Sequence, residues 1–289
     1  MPAAGRGATF AVVVAAWSIE AKRDLEECVA GIARQTLPAR RVIVVVDHNP
    51  ELASWARASF DGAEVLENAG ERGIVGARNT GLAAAGDAEI LAFTDDDAVP
   101  DRGWLEALAA AFEDPDALGV GGELVPHWIG HEPRWFPGEL YWVVGCSYTG
   151  LPTELAQIRN PIGANMAVRR EVLETVGGFS AGVAPRQLEV GGRVLAGGHS
   201  LEDTSLGIRV SRAFPNGHWL YQPAARVHHK VKPGRAGFPY MLRRCFEEGE
   251  GKATLARSHG ADSGLESERR HLLVTIPRGV ARGFLDLLR

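Results

Sequence analysis

The chain is poor in cysteine: Cys28, Cys146 and Cys245 lie far apart in 289 residues, with no C-x-x-C spacing. Such sparse, unpatterned cysteine excludes a disulfide scaffold and a cysteine zinc site, and makes a reduced, cytoplasmic setting the expectation. There is no basic excess either, with 31 Lys and Arg against 36 Asp and Glu for a formal net charge of −5. Binding to a phosphate backbone needs a basic surface, so nucleic acid is not an expected partner. Long hydrophobic runs are missing as well. No stretch reaches the roughly 18 apolar residues of a membrane-spanning helix, and the N-terminus has no apolar segment behind basic residues. The chain is therefore expected not to cross a bilayer. What remains is 45% hydrophobic and 23% charged, an ordinary globular composition with enough apolar residues for a sizeable core.

The apolar residues are grouped. Phe10 to Ala16 and Arg41 to Val46 are continuous, β-branched runs of the kind found in strands covered on both faces. Between them Leu25, Val29 and Ile32 recur at helical spacing, and Leu37-Pro38 ends that helix. Strand, helix, strand in this order predicts a right-handed βαβ unit. A helix over Glu51 to Phe60, a short strand at Glu64 to Leu66, a loop from Asn68 to Gly73 and a helix over Ile74 to Leu82 with Gly86 as its cap continue the alternation. A strand at Glu89 to Leu91, a helix burying Trp104, Leu105, Leu108 and Phe112, and a strand at Leu118 to Val125 complete an α/β pattern, which spells a mostly parallel sheet flanked by helices. Residues 126–162 show no period and read as an irregular aromatic wall. Asn160 to Arg170 reads as a strand leading into a short helix that ends at Gly177-Gly178-Phe179, and residues 191–198 as a glycine-rich loop. A helix opens at Glu202-Asp203, residues 223–231 form a strand, Arg243 to Ala253 a helix weakened by its glycines, and Leu273, Ile276, Val280, Phe284 and Leu287 one face of a last, basic helix. That last helix suits either an anionic membrane surface or docking on the domain.

Thr94-Asp95-Asp96-Asp97 is the centre of the functional reading. It sits where a buried strand leaves the sheet, which is where ligands bind in open α/β sheets. Alternation along the strand puts Asp95 and Asp97 on one side and Asp96 on the other. Two carboxylates on one side repel unless a cation lies between them, and hard oxygen ligands suit Mg²⁺ or Mn²⁺. A solvated acidic turn is the simpler alternative. Arg78, on the first turns of a helix beside a loop, is placed to meet a phosphate or to pair with an acid. Glu202 and Asp203 open a helix, where acids also favour the helix dipole. His229, at a strand end, could complete a metal shell or lie on a polar surface.

These motifs, taken in order, resemble the family 2 glycosyltransferases, which use a nucleotide-sugar donor on a GT-A, Rossmann-like domain. Gln35-Thr36, Val45-Val46-Asp47, Asn68 with Gly70, Ala77-Arg78-Asn79-Thr80-Gly81 and Thr94-Asp95-Asp96-Asp97 with Pro100 look like the donor half. Gly163-Ala164-Asn165, Gly177-Gly178-Phe179, Glu202-Asp203 with Arg209, and His229-Lys230-Val231 look like the acceptor half. The resemblance implies a GT-A domain over 9–232, with 9–125 binding the nucleotide-sugar and 126–232 the acceptor, and a helical C-terminal extension over 233–289. It implies donor contacts at Asp47, Arg78, Asp95 and Asp96, with Trp17 standing where many members have Tyr. It also implies metal ligation by Asp97 and His229, Asp203 as catalytic base, and Asn165 and Glu202 on the acceptor side. Mn²⁺ or Mg²⁺ is the implied cofactor, a UDP-sugar the implied donor, and a glycan, lipid-linked or small molecule the implied acceptor. Val46-Asp47-His48-Asn49-Pro50 and the Arg244, Glu248-Gly249 and Lys252-Ala253 segment look most like lipid-linked glucosyl or glucuronosyl transferases, which places the chain at the inner face of a membrane.

Expelling a nucleoside diphosphate builds charge that a cation stabilises, and an acceptor hydroxyl must lose a proton as it attacks, so a single displacement with inversion is the expected chemistry. Acidic clusters also serve metal-dependent phosphohydrolases and nucleotidyltransferases, and a transferase scaffold can survive as a non-catalytic nucleotide-sugar-binding module. These two readings are the alternatives.

Overall fold

A computed structural model describes residues 7–180, 188–190, 193–195, 201–259, 271–279 and 281. The chain opens with β1 (Phe10–Ala16), α1 (Lys22–Ala33) and β2 (Arg41–Val46). Helix α2 (Pro50–Ser59) follows, then β3 (Glu64–Glu67), α3 (Ile74–Ala83) and β4 (Ile90–Asp95). Asn49 caps α2 by accepting the Leu52 N–H at 3.1 Å, and Pro50 takes the first helical position, where its missing N–H has no intrahelical partner to lose. Next come β5 (Ala98–Pro100), α4 (Trp104–Ala111), β6 (Ala117–Trp128), β7 (Ala156–Ile158), β8 (Asn165–Arg169) and α5 (Arg170–Thr175). The antiparallel pair β9 (Leu188–Val190) and β10 (Arg193–Leu195) precedes α6 (Glu202–Ala213), β11 (His218–Val231) and α7 (Phe238–His259).

Nine strands form one mixed sheet in the order β3-β2-β1-β4-β8-β6-β11-β5, with β7 also on β11. β3, β2, β1 and β4 run parallel, β8 is antiparallel to both neighbours, and β6 and β11 run parallel to each other. Both faces are covered. Val12 and Val14 of β1 join Leu25, Ile32, Trp104 and Leu108 in one core, whereas the intervening Val13 joins Ile43, Ala77, Leu173 and Leu206 in the other. A strand buried on both sides must be apolar throughout, which is why β1 and β2 lack alternation.

The short elements depart from the sequence pattern. β5 follows the aspartates directly and pairs antiparallel with β11, Ala98 facing His229. The expected irregular wall contains the end of β6, a 3₁₀ stretch at Gly138–Val144 and β7. α7 continues through Gly249 and Gly251 to His259. A Cβ at Gly251 would lie 2.9 Å from Leu201 Cδ1, so glycine permits a close approach to the start of α6. Of the last expected helix, 271–279 and 281 are described, the first part as a π-helical turn (His271–Thr275). Val280, Phe284 and Leu287, and Arg269, Arg270 and Arg282 beside them, lie outside the described residues, as does most of the glycine-rich loop at 191–198.

Two buried amides fasten the sheet's centre. Gln35 donates to the Gly31 and Asp101 carbonyls at 3.1 and 2.7 Å and accepts the Leu105 N–H at 3.0 Å, which fixes α1 to the start of α4. Asn165 is fully buried, donates to the Glu123 and Ala225 carbonyls at 3.0 and 2.8 Å, and accepts from Trp104 Nε1 at 2.8 Å. It joins β8, β6, β11 and α4 at one point. Leaving a buried polar group unpaired costs about 1–3 kcal/mol. We therefore expect Asn165→Ala, which strands three of them, to lower the unfolding free energy in urea titration by about 3 kcal/mol or more.

Candidate active site

β4 ends at Asp95 and the chain turns through Asp96 and Asp97 into β5. Because Ala98 pairs with His229, and the Lys230 N–H donates to the Asp97 carbonyl at 2.9 Å, the His229 ring is carried against the turn. His229 Nε2 lies 3.2 Å from Asp97 Oδ1. One ligand atom each from Asp95, Asp97 and His229 falls within 4.8 Å of the others. Asp95 and Asp97 thus share a side as expected, but the turn brings them together, since pairing in β4 stops at Asp95.

Charges in this turn are strongly coupled. Burial, followed by repulsion from Asp97 and Asp95, raises the Asp96 carboxyl to about 7. Burial also acts to raise Asp97, yet the hydrogen bond and charge of His229, with Arg235 4.0 Å away, hold it below the usual carboxylate range. For His229 burial acts downward, but Asp97, and Cys146 Sγ at 3.6 Å from Nδ1, push the imidazole up to about 10. Asp95 Oδ1 and Asp96 Oδ2 are buried with no hydrogen-bond partner. Two carboxylates, one imidazole and unsatisfied oxygens are a donor set that fits a divalent cation such as Mg²⁺ or Mn²⁺.

The turn opens into a cleft of about 1910 Å³. On one side Asp47 and Trp17 line it together with Gly73 and Ile74. Asp47 accepts from Asn68 Nδ2 at 2.6 Å, the His48 ring at 2.9 Å and the Gly73 N–H at 2.9 Å. Burial acts to raise this carboxyl, but those donors outweigh it and hold it below its ordinary value. Trp17 is 69% exposed at the rim. A Cβ at Gly76 would meet the Glu71 carbonyl at 1.9 Å, so the Asn68 to Gly73 loop folds against α3 only over glycine.

Arg78 joins this side to the next. It is 3% exposed, its guanidinium 2.9 Å from Glu202 Oε1 and 3.6 Å from Asp95 Oδ1, with Phe179 5.5 Å beneath it. Phe179 is held by Asn79, which accepts its N–H at 2.8 Å and donates to its carbonyl at 2.9 Å. Arg209 donates to the Val176 and Gly178 carbonyls, both at 2.7 Å. Asp203 is half-buried at the cleft, with its Oδ1 taking the Thr204 N–H at 2.6 Å. Burial, then the like charges of Glu202 and Glu248, raises its carboxyl to about 7.

Of the residues singled out from the sequence, Trp17, Asp47, Arg78, Asp95, Asp96, Asp97, Glu202, Asp203 and His229 all line this cleft. Asn165 does not reach it, because its whole amide is used in the knot described above. Cleft residues that sequence reasoning missed include Asn160, Arg235 and Tyr240. Arg244 and Glu248, which α7 brings to the same wall, had a visible signal in their four-residue spacing on a helix.

Residues 12–177 match glycosyl transferase family 2. The chain is 31% identical over 248 residues to the glucosyl-dolichyl phosphate glucuronosyltransferase of Haloferax volcanii, an alignment covering 84% of this chain and 76% of that protein. Among solved structures it is similar to the mannosyltransferase PcManGT from Pyrobaculum calidifontis in complex with GDP-Man and Mn²⁺, with a TM-score of 0.58, 22% identity, and coverage of 94% of this chain and 73% of that one. It is also similar to GalNAc-T7 with UDP, GalNAc and Mn²⁺, with a TM-score of 0.53, 15% identity, and coverage of 83% and 48%. At these identities the two structures speak for the fold, which is GT-A. The family match spans more than half of the chain and the curated relative aligns with most of it; the chain belongs to glycosyl transferase family 2, the nucleotide-sugar-dependent glycosyltransferases.

Proposed function

We propose that the chain is an inverting, cation-assisted transferase that moves a sugar from a UDP-sugar to a hydroxyl of a lipid-linked glycan, with Asp203 as general base. The observation that carries this reading is that Asp203 lines the same cleft as the Asp95, Asp97 and His229 cluster, with Arg78 spanning from Asp95 to Glu202. Residues 9–125 then serve the donor and 126–232 the acceptor. Asp95, Asp97 and His229 would hold the cation, Mn²⁺ or Mg²⁺. When bound, it supplies Lewis-acid stabilisation of the charge that develops on the leaving diphosphate.

The rest is the work of the chain's own groups. Trp17 offers an exposed ring to the nucleotide base, beside an Asp47 whose carboxylate is fixed by three donors. The acceptor hydroxyl gives its proton to Asp203 as its oxygen bonds to the anomeric carbon, and the bond from that carbon to the diphosphate oxygen breaks with the electron pair leaving on the nucleotide. Glu202 is already held by Arg78, so Asp203 is the acid of the pair offered to the acceptor. A base with a pKa near the working pH is effective, and about 7 meets that condition. Arg159, Arg244 and Lys252 also line the cleft, the last two at 3.8 and 3.0 Å from Glu248, and guanidinium and ammonium donors there suit an acceptor with a phosphate near its sugar. The Haloferax relative is named for such an acceptor, which supports a working position at a membrane.

Asp203 must be ionised to take the proton. Turnover should therefore be lost as pH falls below about 7, approaching tenfold per unit, while Asp203→Asn should lower kcat by about 10²–10⁴-fold and leave donor affinity intact. Turnover retained in that variant removes the assignment. Thermal melts with nucleotides provide a separate check, since a ligand at a hundred times its Kd adds about 2.7 kcal/mol, or about 4–5 °C for a chain of this size. UDP with Mn²⁺ should raise the melting temperature more than GDP with Mn²⁺, and Asp97→Ala should abolish the Mn²⁺-dependent part. A larger rise with GDP overturns the choice of nucleotide, and a rise independent of Mn²⁺ overturns the cation.

A further inference from the structure

α7 has a second face. Phe238, Leu242 and Phe246 recur every four residues and are 54, 53 and 62% exposed. At about 100° per residue they fall in one sector with Gly249 and Ala253, and no charged residue shares it. Trp135 extends the stripe from a different segment, 45% exposed and edge-on to Phe238 at 5.8 Å. Four large apolar side chains facing water in one place exceed what single scattered surface residues explain.

Exposed cations flank the stripe. The side chains of Lys232, Arg235 and Arg243 are 50, 37 and 48% exposed, although Lys232 also meets Asp24 and Arg243 meets Glu247, whereas Lys230 and Arg244 are buried in ion pairs. Arg134 adjoins Trp135 and is exposed; Arg243 stands one step round the helix from Leu242, 48% exposed and 5.4 Å over the Tyr240 ring. The stripe also borders the cleft, because Cys245, at its edge, and Gly249, at its far end, line that cavity. The four side chains expose on the order of 400 Å², well under the about 800 Å² per partner of a stable protein interface. Aromatic and aliphatic side chains with cationic flanks are the composition of helices that lie in the headgroup region of an anionic bilayer.

We propose that Trp135, Phe238, Leu242 and Phe246 insert into an anionic phospholipid surface, with Arg134 and Arg243 on the headgroups, so that the membrane lies along the edge of the active-site cleft. This deepens the reading of a lipid-linked acceptor by naming the surface from which such an acceptor would be reached. The test reads vesicle binding rather than turnover, so the two ideas fail separately.

The full chain should co-sediment with phosphatidylcholine vesicles that contain phosphatidylglycerol and much less with phosphatidylcholine alone. The double variant Leu242→Asp, Phe246→Asp should reduce the bound fraction about tenfold or more, and Arg243→Gln about fivefold at low salt. Brominated acyl chains should quench tryptophan fluorescence in the parent and less in Trp135→Phe, a signal that a purely structural role would not give. An unchanged melting temperature and UDP–Mn²⁺ shift would show that each variant folds. Undiminished vesicle binding by the folded double variant overturns the proposal, as does a dimer in sedimentation equilibrium that this variant dissociates, which would assign the stripe to a second copy. Vesicle binding without transfer to any lipid-linked acceptor would keep the membrane seat and remove that acceptor.

Discussion

The pairing of three-residue β5 with the end of β11 is the contact on which the candidate active site depends. It sets Ala98 opposite His229, and through that register places an imidazole against the Asp97 carboxylate. Without it the turn after β4 would hold three adjacent acids in a largely buried place, an arrangement that burial and mutual repulsion both oppose. The turn distributes that strain unequally. Asp97 keeps its charge beside His229 and Arg235, Asp95 faces Arg78, and Asp96 is driven to a pKa of about 7. A cation joining Asp95, Asp97 and His229 would relieve the same repulsion.

Arg78 carries this organisation across the cleft. It is one buried guanidinium shared between Asp95 of the strand end and Glu202 of the α6 start, seated on Phe179. The backbone of Phe179 is in turn fixed by Asn79, one residue along from Arg78, and the turn before it by Arg209 of α6. Motifs far apart in sequence are thus parts of one hydrogen-bonded lattice. A site whose polar groups are already oriented has little to reorganise during reaction, which is the main advantage of a preformed electrostatic environment.

Several polar residues that look chemical by type are scaffold by position. Gln35 ties α1 to α4, and Asn165 ties β8 to its neighbours and to Trp104. Each amide offers both donors and an acceptor, so one buried side chain can satisfy several backbone groups left unpaired at helix ends or at the register shift of β11. α7 works in a comparable way at larger scale, with Arg244 and Glu248 facing the cleft and Phe238, Leu242 and Phe246 facing outward.

The amino-acid order by itself determined the long elements and the acids. β1, β2 and β4 announce themselves because a strand covered on both faces must be apolar at nearly every position, and the helices between them because a one-sided helix repeats its apolar residues every three or four positions. Asp95, Asp97 and His229 stood out by their chemistry at strand ends, whereas Asp203, an ordinary acid at a helix start, stood out through the family resemblance. Tertiary structure decided the rest. β5 and β7, three residues each, are too short to carry a period, and only pairing with β11 makes them strands. The use of Asn165 was hidden, and that of Arg78 was left open between a phosphate and an acid, since a polar side chain's partners depend on neighbours brought in from distant segments. Local sequence specifies what a residue can do, whereas long-range packing chooses its partners and so its charge.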